Sequence, residues 1–341
     1  MSSVSVAAPT DGKICDSCGD GSIVQGLSDT TIHQTSERLD ITWQDFSSDV
    51  GESINFNQPN SSSVAINRVI GGVTSQLRGA LNANGRVFIL NNSGVTFHGT
   101  SLVNVGSLVA TTATNVVLED GRYHFTGGDQ AKIINHGNIS VSEGGFAVLV
   151  APYVENTGVI QASLGQIGLA SADQFTVDFR GDGLIKYTVS GDLIESDIGV
   201  SSSGTLRAPS GVVNLSSQLA SSIVGGVVNL EGVVDVDSFD GQQDAGSVNI
   251  DSSGDVNFKH VTVSADGGLE GDGGRIYSFA DGKNDLGREA SLTARGGSQA
   301  GDGGFIEQSG NHIRKEGSVD ASAAHGNSGV FVLDPETLIV A

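Results

Sequence analysis

Asn135–Leu169 reads NHGNISVSEGGFAVLVAPYVENTGVIQASLGQIGL, and the stretch repeats itself. Asn135-x-Gly137-x-Ile139 returns as Asn156-x-Gly158-x-Ile160, and Gly144-Gly145-Phe146-Ala147-Val148 returns as Gly165-Gln166-Ile167-Gly168-Leu169, both 21 residues on. Each copy consists of short Val/Ile/Leu/Phe runs broken by Gly, Asn and Ser, without the i, i+3, i+4 spacing of an amphipathic helix. A period of roughly 20 to 30 residues with several short strands and Gly/Asn corners is what one coil of a parallel β-helix requires, because the chain must turn tightly without Cβ clashes.

A second set of repeats fills the C-terminal third. Val234-Asp235-Val236-Asp237, Val261-Thr262-Val263-Ser264, Ser291-Leu292-Thr293-Ala294 and Ser318-Val319-Asp320-Ala321 each lead into an acidic, Gly-rich turn. A strand follows each turn: Gly246-Ser247-Val248, Gly274-Arg275-Ile276, Gly304-Phe305-Ile306 and Gly329-Val330-Phe331. The chain is therefore read as all-β, a right-handed parallel β-helix (solenoid) with an N-terminal cap. Val116–Thr126 and Phe175–Val189 break the period. Each alternates apolar and polar residues about a Gly-containing turn, so both read as hairpins standing outside the coil. One coil cannot stand alone: six inward aliphatics at roughly 1.5–3 kcal/mol each offset only part of about 1–2 kcal/mol per residue of backbone ordering. Stacking must supply the rest, and the end coils need caps.

Composition limits the function. The 341 residues carry 17 Lys+Arg against 39 Asp+Glu, a net charge of −22, which repels nucleic acid and anionic lipid surfaces. No apolar run approaches the roughly 18 residues of a spanning helix, and the start MSSVSVAAP lacks a signal-peptide pattern. A soluble chain is expected, mature or truncated. Its two cysteines, Cys15 and Cys18, form one CxxC, which fits a local disulfide, half of a zinc site or an inert exposed pair.

Asn84–Thr112, NGRVFILNNSGVTFHGTSLVNVGSLVATT, closely resembles the secretion domain of two-partner-secretion exoproteins (TpsA), the filamentous-haemagglutinin type. Ile41-Thr42-Trp43-Gln44-Asp45-Phe46 is similar to the family's I-x-W-x-x-F element. Ile54-Asn55-Phe56-Asn57-Gln58-Pro59 with Ala65-Ile66-Asn67-Arg68-Val69 resembles its F-x-Q-P…A-L-N-R-V segment. Ala151-Pro152-Tyr153-Val154-Glu155-Asn156-x-Gly158 and Val177-Asp178-Phe179-x-Gly181-Asp182-Gly183 resemble two later blocks. The resemblance divides the chain into an extension (1–20), a secretion domain (21–200) and the first coils of a shaft (201–341). One departure stands out: where the family carries Asn-Pro-Asn-Gly-Ile, this chain has Asn91-Asn92-Ser93-Gly94-Val95. The turn role survives there, without proline's rigidity.

The resemblance implies export through a dedicated outer-membrane β-barrel transporter (TpsB), whose periplasmic POTRA domains bind the domain in extended form, and nucleation of β-helix folding outside. It implies a Gram-negative cell-surface or released exoprotein, most often an adhesin, that passes through the periplasm and finds a host or neighbouring-cell receptor through its downstream region. A monomer without cofactor or catalytic activity is expected. The residues assigned to transporter recognition are Asn67, Arg68, Asn91, Asn92, Ser93 and Gly94, with Ile41, Trp43, Phe46, Ile54 and Phe56 on the cap strands.

Other chemistry is weaker. The seven His residues are scattered, and no HExxH, GxxxxGK[ST] or GxSxG occurs. Gly271-Asp272-Gly273-Gly274 and Gly301-Asp302-Gly303-Gly304 resemble calcium nonapeptides, but at an interval of 30 they read as acidic corners. Arg180-Gly181-Asp182 matches the adhesion tripeptide, and the turn alone explains its Gly and Asp. The competing classes are a carbohydrate-active β-helix enzyme, for which Asp235 and Asp237 would share a strand face, and a stand-alone surface ligand-binding protein.

Overall fold

The computed structural model describes residues 9–128, 131–172, 174–178, 185–188, 199–217 and 226–336. Its strands wind into a three-faced parallel β-helix. On the first face eleven strands among the described residues stack in order, from Asp29–Gln34 to Ser318–Asp320. At about 4.8 Å per step this stack is roughly 50 Å long. Its inward column starts at buried Thr30 and from there on is aliphatic: Ile54, Leu81, Val103, Ile139, Ile160, Leu206, Val234, Val263, Leu292 and Val319. The second face runs from Arg38–Trp43 through Val64–Val69, Arg86–Asn91 and Ser107–Thr111 to Val330–Pro335. The third includes Ser75–Leu77, Val95–Phe97, Lys132–Asn135 and Tyr153–Asn156. One interior cluster extends from Ile32 to Ile306, with Phe331 packed against it, and runs without a break past residue 200.

The N-terminal edge of this stack is closed by antiparallel pairing. Gly21–Gln25 lies against Asp29–Gln34, Lys13–Ile14 against Arg38–Trp43, and Thr10 bridges Asp45. The parallel ladder ends there in short antiparallel strands instead of an open coil.

The 21-residue repeat is the coil itself, since Asn135 pairs with Asn156 and Ile139 with Ile160. Two sequence alignments are corrected. Phe146 pairs with Gln166 and Ala147 with Ile167, so the Gly144–Val148 copy is offset by one residue from the sequence match. A single step inverts the faces, and Ala147 and Ile167 are the pair that points inward. The anchor is a column of corner glycines, Gly145, Gly165, Gly211, Gly246, Gly274, Gly304 and Gly329. A Cβ on any of the upper six would lie 2.0–2.3 Å from the carbonyl oxygen of the glycine below. Likewise Val234 pairs with Val263, two positions from the sequence alignment, so the counterpart of Asp237 is Asp266 and not Ser264.

Both period-breaking segments leave the coil after a second-face strand. Asn115–Glu119 and Arg122–Thr126 form a hairpin whose turn, Asp120-Gly121, has φ of 52° and 80°, as a type I′ turn requires. Gln174–Asp178 pairs with Ile185–Thr188; the Gly181–Gly183 turn and the Arg180-Gly181-Asp182 tripeptide lie outside the described residues. Arg122–Thr126 also pairs with Gln174–Asp178, giving one four-stranded antiparallel sheet. It covers the outside of the second face, burying Ile66, Phe88, Val109, Val148 and Val150 beneath Tyr123, Phe125 and Phe175. Phe125 and Phe175 stack at 4.3 Å, and Phe88 meets Tyr123 edge-on at 5.2 Å.

Candidate functional site

Neighbouring registers bring the Asn67-Arg68 and Asn91–Gly94 segments together. Arg68 pairs with Thr42 on one side and Leu90 on the other, and Val69 pairs with Asn91. Alternation along Val64–Val69 turns Asn67 inward and Arg68 outward. Asn67 is fully buried and accepts a 3.0 Å hydrogen bond from Trp43 Nε1. Its amide nitrogen donates to the Phe88 carbonyl at 3.2 Å. A buried indole N–H needs an acceptor, which accounts for an asparagine between the apolar Ile41 and Ile89 of its column.

Arg68 reaches over the coil surface and donates to the carbonyls of Thr114 and Val116 at 3.3 and 3.4 Å, which ties down the base of the first hairpin. Asp40 lies 3.6 Å away and is also held bidentately by Arg38 at 2.8 and 2.9 Å. The hydrogen bond with Asp40 holds the Arg38 guanidinium above its ordinary range.

The Asn91–Gly94 turn closes without proline. Gly94 N donates to the Asn91 carbonyl and Ser93 N to Asn91 Oδ1, both at 2.9 Å. Gly94 has φ +95°, and a Cβ there would approach the Lys132 carbonyl oxygen to 2.6 Å. Buried Asn91 donates its amide to the Val73 carbonyl and Ser75 Oγ, each at 2.9 Å, and Thr74 Oγ1 donates to the Ser93 carbonyl at 2.7 Å. The turn is thus pinned to the coil before it and fitted against the coil after it.

Arg68, Asn92, Val69, Ile70, Leu90 and Thr114 share the lining of a surface pocket of about 230 Å³. Beside it the Ile70–Thr74 turn exposes Ile70 (61%) and Val73 (47%). The pocket presents the Arg68 guanidinium, the Asn92 amide and the aliphatic walls of Val69, Ile70 and Leu90. Asp40, Ile70, Val73 and Thr114 escaped sequence reasoning. A signal existed for the aliphatic pair alone, which flanks Gly71-Gly72 at a turn and so has little chance of facing inward.

The cap-strand residues Ile41, Trp43, Phe46, Ile54 and Phe56 are all interior, with the Trp43 and Phe46 rings 5.6 Å apart. Cys15 and Cys18 form a disulfide inside the cap, where Asp40 N donates to the Cys18 carbonyl at 2.8 Å. Asp235 pairs with Arg207 at 3.1 Å, and Asp237 accepts the backbone N–H of Asp266 at 2.7 Å. The acidic corners serve the stack in the same way: Asp272 accepts from Asp302 N and Asp302 from Asn327 N, each at 2.7 Å. No three His, Cys, Asp or Glu side chains gather in metal-binding geometry among the described residues.

The family model described as TPS secretion domain matches residues 10–258. A heme/hemopexin-binding protein of Haemophilus influenzae is 44% identical over 82 residues, covering 24% of this chain and 9% of that protein. The heme/hemopexin-binding protein of H. influenzae strain Rd is 34% identical over 158 residues, 43% of this chain and 17% of its own length. These matches span less than a fifth of the curated relatives' length. Among solved structures, the HMW1 secretion domain from H. influenzae superposes with a TM-score of 0.58 at 21% identity, covering 96% of this chain and all of that one, and so shares its fold.

Proposed function

This chain belongs to the TPS secretion domain family, and from that membership we propose that it is the export signal and folding template of a large exoprotein, handled by a TpsB-type outer-membrane transporter. Exoproteins of this family are secreted across the outer membrane of Gram-negative bacteria, and the family consists of secretion domains, not enzymes. In the proposed sequence of events the transporter's periplasmic POTRA domains take the segments around Asn67-Arg68 and Asn91–Gly94 while the chain is extended. Outside, the same residues close the first coils, and those coils template the next.

The supporting observation is the division of labour at this corner. Arg68, Asn92 and Ser93 stay at the surface after folding, whereas Asn67 and Asn91 are fully buried. A reader of all six residues must therefore meet them before the coil closes. What the exoprotein does at its destination, whether adhesion through a surface receptor or the heme/hemopexin binding for which the relatives are named, is assigned to the rest of the exoprotein.

The test is capture by the isolated POTRA domains of the cognate transporter, comparing chain freshly diluted from urea with folded chain. Extended chain should be captured at least tenfold better. Arg68→Ala combined with Asn92→Ala should cut secretion at least tenfold, and more than a core variant such as Val234→Ala compared at the same unfolding midpoint. Equal capture of both forms, or undiminished secretion of the double variant, would remove the proposal.

A further inference from the structure

The outer surface of the second face changes character along the axis. Its central outward column reads Ile66, Phe88, Val109 and Val148 where the antiparallel sheet lies on it. Further on the same column becomes Asn214, Asn249, Tyr277 and Glu307. Flanking it are Arg275 paired with Phe305, and Asp251 paired with Phe279. Phe279 is 44% exposed, the Tyr277 and Phe305 rings lie 5.4 Å apart, and Asn249 Nδ2 donates to Asn214 Oδ1 at 2.9 Å.

We propose that this stretch is a binding platform for a neutral glycan, laid across adjacent rungs. Partly exposed aromatic rings stack on the C–H faces of pyranoses, and amides, carboxylates and a guanidinium set between them suit hydroxyl groups. The molecule supplies its own contrast: where this face is covered by protein, its central column is entirely apolar. A protein cover over Tyr277 and Phe279 would have to bury Asn249, Arg275 and Glu307 as well, which is costly without matched partners. The carboxylates of Asp251, Glu307 and Asp334 outnumber Arg275 on this surface, in a chain of net charge −22, so the ligand is neutral and not sulfated or sialylated.

The test is affinity electrophoresis of the chain through gels containing a soluble β-glucan, a xyloglucan, a galactomannan or heparin. At least one neutral polymer should retard it more than heparin does. Tyr277→Ala with Phe279→Ala should raise the apparent Kd for that polymer at least tenfold. Leu102→Ser, an exposed position on the first face, should leave it unchanged. Circular dichroism establishes that the double variant is folded, and Phe279→Ala alone serves if it is not. No retardation by any neutral polymer, stronger retardation by heparin, or wild-type binding by the folded aromatic variant each overturns the proposal. So does a dimer in ultracentrifugation that the aromatic variant abolishes, which would assign the face to a second copy of the chain.

Discussion

Replacing Asn67 by alanine tests how the first coils are held. The substitution removes the acceptor of Trp43 Nε1 at 3.0 Å and the donor to the Phe88 carbonyl at 3.2 Å, both buried. An indole N–H left unpaired costs about 1–3 kcal/mol and the lost carbonyl bond about 1, so a loss of about 2–4 kcal/mol is expected. Trp43 is the chain's one tryptophan, and its emission in a urea titration reports the N-terminal coils directly. The midpoint should fall with little change in m-value. In a Trp43→Phe background, followed by circular dichroism, no orphaned indole remains, so Asn67→Ala should cost less by about 1 kcal/mol or more. A loss under about 0.5 kcal/mol, or strict additivity of the two substitutions, refutes the role assigned to Asn67.

Three further outcomes are expected. Gly94→Ala places a Cβ against the Lys132 carbonyl at φ +95° and should destabilise the N-terminal coils by at least about 1 kcal/mol, read by Trp43 emission, with a parallel fall in secretion. Reducing the Cys15–Cys18 disulfide should lower the unfolding free energy read by the same titration by about 2 kcal/mol on the loop-entropy account, and a midpoint insensitive to dithiothreitol contradicts it. Burial pushes the Asp285 carboxyl up, but hydrogen bonds from Arg314 and Lys283 outweigh it and hold the group below the usual carboxylate range. With the folded pKa below the unfolded one, this contribution is complete above about pH 4 and fades as pH falls through the folded value. The stability gap between wild type and Asp285→Asn should therefore narrow on acidification below about pH 4, and a gap independent of pH counts against the pairing.

The coil was legible because a stacked fold repeats its constraints. Asn135 and Asn156 occupy equivalent corners, and so do Gly274, Gly304 and Gly329. Register was harder to read. A corner can lose one residue, as the one before Gly165 does relative to the one before Gly145, with no trace in composition, and Val-x-Val repeats align equally well two residues apart. The hairpins could be read from alternation and turn chemistry, but not the outer core they cover. Its signal lay in VFIL (87–90) and FAVLV (146–150), runs apolar at every position, which mark strands buried on both sides. At the site, sequence suggested the Asn67-Arg68 and Asn91–Gly94 motifs separately. That Arg68 sits beside Leu90, and that its guanidinium spans to Thr114 and Val116, follows from coil length and could not be read from either motif.

The four-stranded antiparallel sheet draws its two halves from coils separated by an intervening one, the coil carrying Phe146–Ala151. For a chain emerging N-terminus first, the free edge of Arg122–Thr126 stays unpaired until Gln174–Asp178 arrives, and the two meet in register only when the middle coil has been laid down at the right height. The sheet is a clasp that fastens only over a correctly wound rung, so a coil skipped or slipped during exit leaves Phe125 without Phe175 and the assembly visibly unlatched.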